Sequence, residues 1–171
     1  VAICDQVEEA RPGQLVKREV TQILSPGTHF DERLLAAERN NFVAALHPVG
    51  KRFGLAVVDL TTGDFKVTEL PDEAALATEI ERLRPAEIIF PEASALASKL
   101  AANGAIARGY DDWVFAAETA VFTLREHFKV ASLDGFGLRD RAAAIGAAGA
   151  ALHYLAQHLR RDVAHLTRLS F

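Results

Sequence analysis

The chain has 171 residues, half of them apolar, with a net charge of −4 and one cysteine. A chain of this size buries about 70% of its unfolded surface, and it lacks the basic excess of a nucleic-acid-binding domain. Cys4 alone excludes a disulfide framework and fits a reducing, cytoplasmic setting, while no apolar run suits a signal peptide or a bilayer span.

Residues 1–5 and 16–24 have strand character and flank a polar loop at 8–14. No Met precedes Val1 and the chain opens inside an apolar run, as a piece excised from a longer protein would. Ser25-Pro26-Gly27-Thr28 reads as a type II turn, with Pro26 fixing φ and Gly27 supplying positive φ. A linker at 29–39 follows, with a helical turn to cover Leu34 and Leu35.

Strands are expected at 42–46, at 53–60 with apolar residues on both faces, and at 65–70 with Phe65 and Val67 inward. Asp72 suits the N-cap of a helix carrying Leu76, Ile80 and Leu83 on one face, and Pro85 ends it. A short buried strand at 86–90 runs parallel to the sheet because a helix precedes it. Residues 94–102 read as helix, ended by Asn103-Gly104, and 106–110 as a last strand. Asp111 or Asp112 then caps a continuous helix over 113–129, with Trp113, Ala117, Ala120, Val121, Leu124 and Phe128 inward.

From 138 to 159 the chain is Ala- and Gly-rich. Ala142, Ile145, Gly149, Leu152 and Ala156 form one stripe, while Ala143, Gly146, Ala147 and Ala150 keep another side thin for a second helix. That second helix is expected to lie outside this chain, leaving the face exposed. Three antiparallel-type strands followed by helix, strand, helix, strand, helix give an α/β class. The order is that of a ribonuclease-H-like mixed sheet flanked by helices.

Such a sheet raises the possibility of a metal-dependent nuclease, which needs several converging carboxylates. The candidates are Asp59, Asp64, Glu92 and Asp111 or Asp112. Asp59 stands beside a turn, where Asp commonly bonds the local backbone, and fold does not carry function; the nuclease is therefore the alternative reading. His153 and His158 are five apart and do not stack on one helix face, and Cys4 has no nearby ligand partner. No catalytic, cofactor-binding or metal residue is assigned. Lys17 and Arg18 are the only basic pair in the first strands; a solvated role is preferred to DNA phosphate contact, so no DNA-binding residue is assigned.

Several strings carry a resemblance: Val1-Ala2-Ile3-Cys4-Asp5-Gln6, Val16-Lys17-Arg18-Glu19-Val20, Asn40-Asn41-Phe42-Val43, Thr62-Gly63-Asp64-Phe65, Arg84-Pro85-Ala86-Glu87 and Gly135-Phe136-Gly137-Leu138. In order and spacing the chain resembles the MutS family of DNA mismatch-recognition proteins, collinearly over nearly its whole length. The resemblance implies the end of the mismatch-binding domain at 1–28, a linker at 29–39, a ribonuclease-H-like connector at 40–132 and the start of the core, or lever, at 133–171. On this reading the first strand pair and the last long helix belong to neighbouring domains.

It also implies a connector that relays movement between the mismatch and ATPase ends of a homodimeric parent and offers a surface to MutL. The hinges are then expected at Pro26 and Gly27 and at Gly135 and Gly137. Mismatched DNA, ATP and Mg²⁺ belong to that parent. The chain is read as lacking both the mispair-reading Phe-x-Glu motif and the phosphate loop, since Gly50-Lys51 is followed by Arg52 and no other Lys follows a Gly-rich run. No chemistry and no membrane contact are expected of it.

Overall fold

A computed structural model describes residues 2–6, 18–23, 42–96, 100, 106–159 and 163–171. The expected first strands appear as β1 (Ala2–Gln6) and β2 (Arg18–Ile23), an antiparallel pair forming a separate two-stranded sheet. Among the described residues, the main sheet has six strands. Phe42–Val49 (β3), Arg52–Asp59 (β4) and Asp64–Leu70 (β5) form an antiparallel meander. Gly50 takes φ +61° at the first position of the two-residue β3–β4 turn, where a primed hairpin turn needs positive φ.

Glu73–Leu83 (α1) then crosses over to Glu87–Pro91 (β6), which pairs parallel to β3. Asp72 caps α1 as expected, accepting from Ala75 N at 2.9 Å, and Leu76 and Ile80 are buried beneath it. Ile106–Tyr110 (β7) lies parallel to β6 at one edge. Leu169–Ser170 (β8) lies parallel to β5 at the other, giving the order β7-β6-β3-β4-β5-β8.

The expected helix over 113–129 is two helices, Asp112–Phe115 (α2) and Ala117–Phe128 (α3). Ala116 sits at φ −59°, ψ 139°, outside the helical region. The break resets the helical phase, so Val114 and Phe115 enter the core while Trp113 and Ala117, expected inward, are exposed. Ala120 and Leu124 follow the expected stripe. Asp111 holds the cap position of α2 but makes no side-chain capping bond; Asp112 instead accepts from Ala93 N at 3.1 Å.

The last helix, Ala142–Leu159 (α4), departs most from expectation. Its small face is covered within this chain. Ala143, Ala144, Ala147, Ala148, Ala150, Ala151, Leu152, Tyr154 and Leu155 are all at most 2% exposed. The sheet covers one side and α3 another, because glycines let backbones meet. A Cβ on Gly54 of β4 would stand 2.6 Å from Ala144 N and closer still to the Ala143 carbonyl; one on Gly149 would stand 2.5 Å from Ala120 Cα. α4 and β8 share one core with β3–β5.

That core fills the face of the sheet under α3 and α4, with Val43, Ala45, Ala56, Val58, Phe65 and Val67 pointing into it. Alternate residues of the same strands meet α1 on the opposite face, with Leu46, Leu55, Ile88 and Phe90 against Leu76 and Ile80. Among the described residues, no helix is long and apolar enough to cross a membrane. The helix expected at 94–102, Leu34 and Leu35 lie wholly or largely outside the described residues.

Candidate functional site

The strand directions separate the acidic candidates. Asp59 ends β4 and faces Asp64 at the start of β5. Both lie at the edge of the sheet where β3 and β6 begin, since β4 is antiparallel to β3 and β6 parallel to it. Glu92 follows the far end of β6, and Asp111 and Asp112 follow the far end of β7. A five-residue strand spans roughly 17 Å, so these carboxylates cannot share a metal pair. No three His, Cys, Asp or Glu among the described residues are grouped to hold a metal ion.

Asp59 does what its place beside the turn suggests. Its Oδ1 accepts from Thr61 N at 2.8 Å, from Thr61 Oγ1 and from Thr62 N at 3.4 Å. Partial burial pushes its carboxyl up, but these donors outweigh burial and hold it below the usual range. The result is a tied-down turn, with Gly63 at φ +76° closing it.

The buried polar groups were not visible as a set in the sequence. Glu87, at the start of β6, is fully buried. Tyr154 of α4 donates to Glu87 Oε1 at 2.6 Å, and Arg108 Nε lies 3.9 Å from the same oxygen. Tyr110 packs edge-on against Tyr154 at 5.2 Å, and its hydroxyl is 3.1 Å from His153 Nδ1. Burial, then the nearby charge of Asp111, pushes the Tyr110 phenol up. These contacts tie the sheet to α4 and use His153 for packing.

His47, at the far end of β3, lies against Phe115 with ring centroids 5.6 Å apart. Burial pushes its imidazole down, offset in part by a hydrogen bond to the Ala143 backbone. Its buried Nδ1 finds no hydrogen-bond partner among the described residues.

The most exposed large apolar side chain described is Phe122, at 67%. It stands on the outer face of α3, off the inward stripe of Ala120 and Leu124. With Val121 and Val130 it lines an open groove of about 570 Å³ edged by Glu118, Arg125 and Glu126. A large aromatic on the polar side of an amphipathic helix is the signal that could have marked it.

Of the expected hinges, Pro26 and Gly27 lie outside the described residues, as does Lys17. Arg18 opens β2 opposite Gln6. Gly135 lies within a 3₁₀ turn, Asp134–Phe136, and Gly137 closes it at φ +73°. Two Phe-x-Glu strings do occur, contrary to expectation: Phe30-Asp31-Glu32 lies outside the described residues, and Phe90-Pro91-Glu92 follows β6. Phe90 is 3% exposed, inside the core, and can stack on no base.

Comparison with known proteins accords with this architecture. The MutS domain II family matches residues 41–167, and the MutS domain I family matches residues 1–33. The chain is 46% identical to a DNA mismatch repair protein MutS of Solibacter usitatus, over all of this chain and 20% of that protein. It is 43% identical to the protein of that name from Protochlamydia amoebophila, over 97% of this chain and 20% of the relative. The Myxococcus xanthus protein of that name is 40% identical, over 99% and 20%. The chain thus spans about a fifth of the length of these curated relatives.

Proposed function

The chain belongs to the MutS family of DNA mismatch repair proteins, and from that premise we propose that it is the connector region of a longer, homodimeric MutS. In this reading it relays movement between a mismatch-binding end and an ATPase end and offers a docking surface to MutL. Its own residues do no chemistry. ATP and Mg²⁺ act elsewhere in the longer protein, because no lysine here follows a phosphate-loop pattern.

A ribonuclease-H-like assignment for the sheet is part of the proposal. What supports it is the central β3, flanked by antiparallel β4 and β5 on one side and parallel β6 and β7 on the other. What supports a relay is stiffness. Backbone-to-backbone contact of α4 with β4 and α3 makes a block that can move as one body.

The single observation that carries the docking proposal is Phe122, a large exposed aromatic over an open groove on an otherwise well-packed domain. Exposed aromatic anchors beside a groove are what protein partners bury. MutL is assigned to this groove. Pull-down of the chain with the N-terminal region of MutL tests it, with wild type and Phe122→Asp compared. Retained far-UV circular dichroism with binding lost or at least about tenfold weaker is expected, as for loss of an interface hot spot. Equal binding by the two proteins refutes the assignment.

A further inference from the structure

The groove beside Phe122 has an electrical direction as well as apolar walls. Val121, Phe122 and Val130 supply the apolar part, and the charged rim is strung along the axis of α3. Glu118 stands four residues before Phe122, and Arg125 and Glu126 stand three and four after it. Those spacings put a charged side chain one helical turn from the aromatic at each end. Glu118 and Arg125 are two turns apart, about 10 Å along the axis.

The two ends differ in sign. Glu118 is exposed and makes no ion pair among the described residues. At the other end Lys129 stands 3.6 Å from Glu126, which leaves Arg125 as the excess charge. Arg125 Nε donates to the Val130 carbonyl at 3.4 Å, and this bond holds the guanidinium at the edge of the groove. The dipole of α3 places about half a charge of opposite sign at each end, so it weakens this polarity without reversing it.

We propose, resting on the docking reading above, that the groove selects the direction of the MutL segment it takes. That segment carries an apolar side chain for Phe122, a basic residue on the Glu118 side and an acidic residue on the Arg125 side. Apolar contact is non-directional, so Phe122 alone would accept a segment either way round. A reversed segment sets acid against Glu118 and base against Arg125, and like charges across a rim reject it. Both rim charges are exposed, so they act on encounter and orientation more than on the strength of the final contact. Association therefore reports the rim, and dissociation reports Phe122.

Biolayer interferometry of the N-terminal region of MutL on the immobilised 171-residue chain, at two salt concentrations, tests the polarity. Exchanging the two charges, Glu118→Arg with Arg125→Glu, reverses the polarity and keeps the net charge at −4. With far-UV circular dichroism retained, this variant is expected to associate about fivefold more slowly at roughly 50 mM salt. Near roughly 500 mM it should match the wild type, because screening then acts within a few ångströms. Glu118→Gln removes one charge at nearly constant shape and gives a smaller slowing of the same kind. Phe122→Ala is expected instead to dissociate faster. Wild-type or faster association by the exchange variant at low salt overturns the polarity, as does a slowing that persists at high salt. Faster dissociation of Phe122→Ala in that same experiment leaves docking at the groove standing. Unchanged kinetics in Phe122→Ala, or no binding by the wild type, removes the docking reading and the polarity with it.

Discussion

Gly54→Ala should be the most damaging single methyl that can be added to this sheet. A Cβ at residue 54 would stand 2.6 Å from Ala144 N and closer still to the carbonyl of Ala143. These nearest atoms are all backbone, so no side chain can swing aside. Ordinary contact begins near 3.4 Å, and α4 would have to move outward by about 1 Å or more. That motion opens a gap under a helix whose inner residues are at most 2% exposed. Overpacking typically costs about 1–3 kcal/mol; with a whole helix displaced, a loss of about 3 kcal/mol or more is expected.

Urea denaturation followed by circular dichroism measures it, with Gly135→Ala as control. A Cβ added at Gly135 would meet no atom within 4 Å, and the residue is not at positive φ, so its change should fall within about 1 kcal/mol of wild type. A loss below about 1 kcal/mol for Gly54→Ala, or equal losses for both variants, would refute the backbone-contact argument.

Two further outcomes follow from the buried polar groups. Tyr154→Phe removes one hydrogen bond from the fully buried Glu87 and should cost about 1–3 kcal/mol, as expected when a buried acceptor loses a donor; an unchanged denaturation midpoint would show that this bond contributes nothing. His47 has its imidazole pushed below the usual 6.5 by burial. Its contribution to stability is then complete above about pH 6.5 and is lost as pH falls through the folded value, because the unfolded chain binds the proton more readily. The stability lost between pH 7.5 and 5.5 should therefore shrink in His47→Gln, and identical pH profiles for the two proteins would rule His47 out.

The meander was legible because alternation reports a half-buried strand directly: Phe65 and Val67 inward with Lys66 outward is the pattern observed. Asp72 and Pro85 bracket α1 through local backbone chemistry, which sequence also displays. The break at Ala116 was not legible, since neither Gly nor Pro marks it and the gain comes from burying Phe115 beside His47. The place of α4 was hidden for a related reason. A helix of small residues can be read as missing its partner or as buried on nearly every side, and only the close approach of Gly54 and Gly149 decides. At the proposed docking face, Phe122 was present in the sequence as a residue left off the inward stripe. The tie between Glu87 and Tyr154 joins residues too far apart in the chain for any local pattern to pair them.

The placement of α4 also bears on biosynthesis. The meander can hydrogen-bond once residue 70 has emerged from the ribosome, yet its apolar underside waits for a helix that begins at Ala142. Contacts between such distant positions close slowly, so a nascent chain shows bare sheet until that helix emerges. This interval is when a chaperone would have a hydrophobic face to hold, and the arrival of an alanine-rich helix ends it.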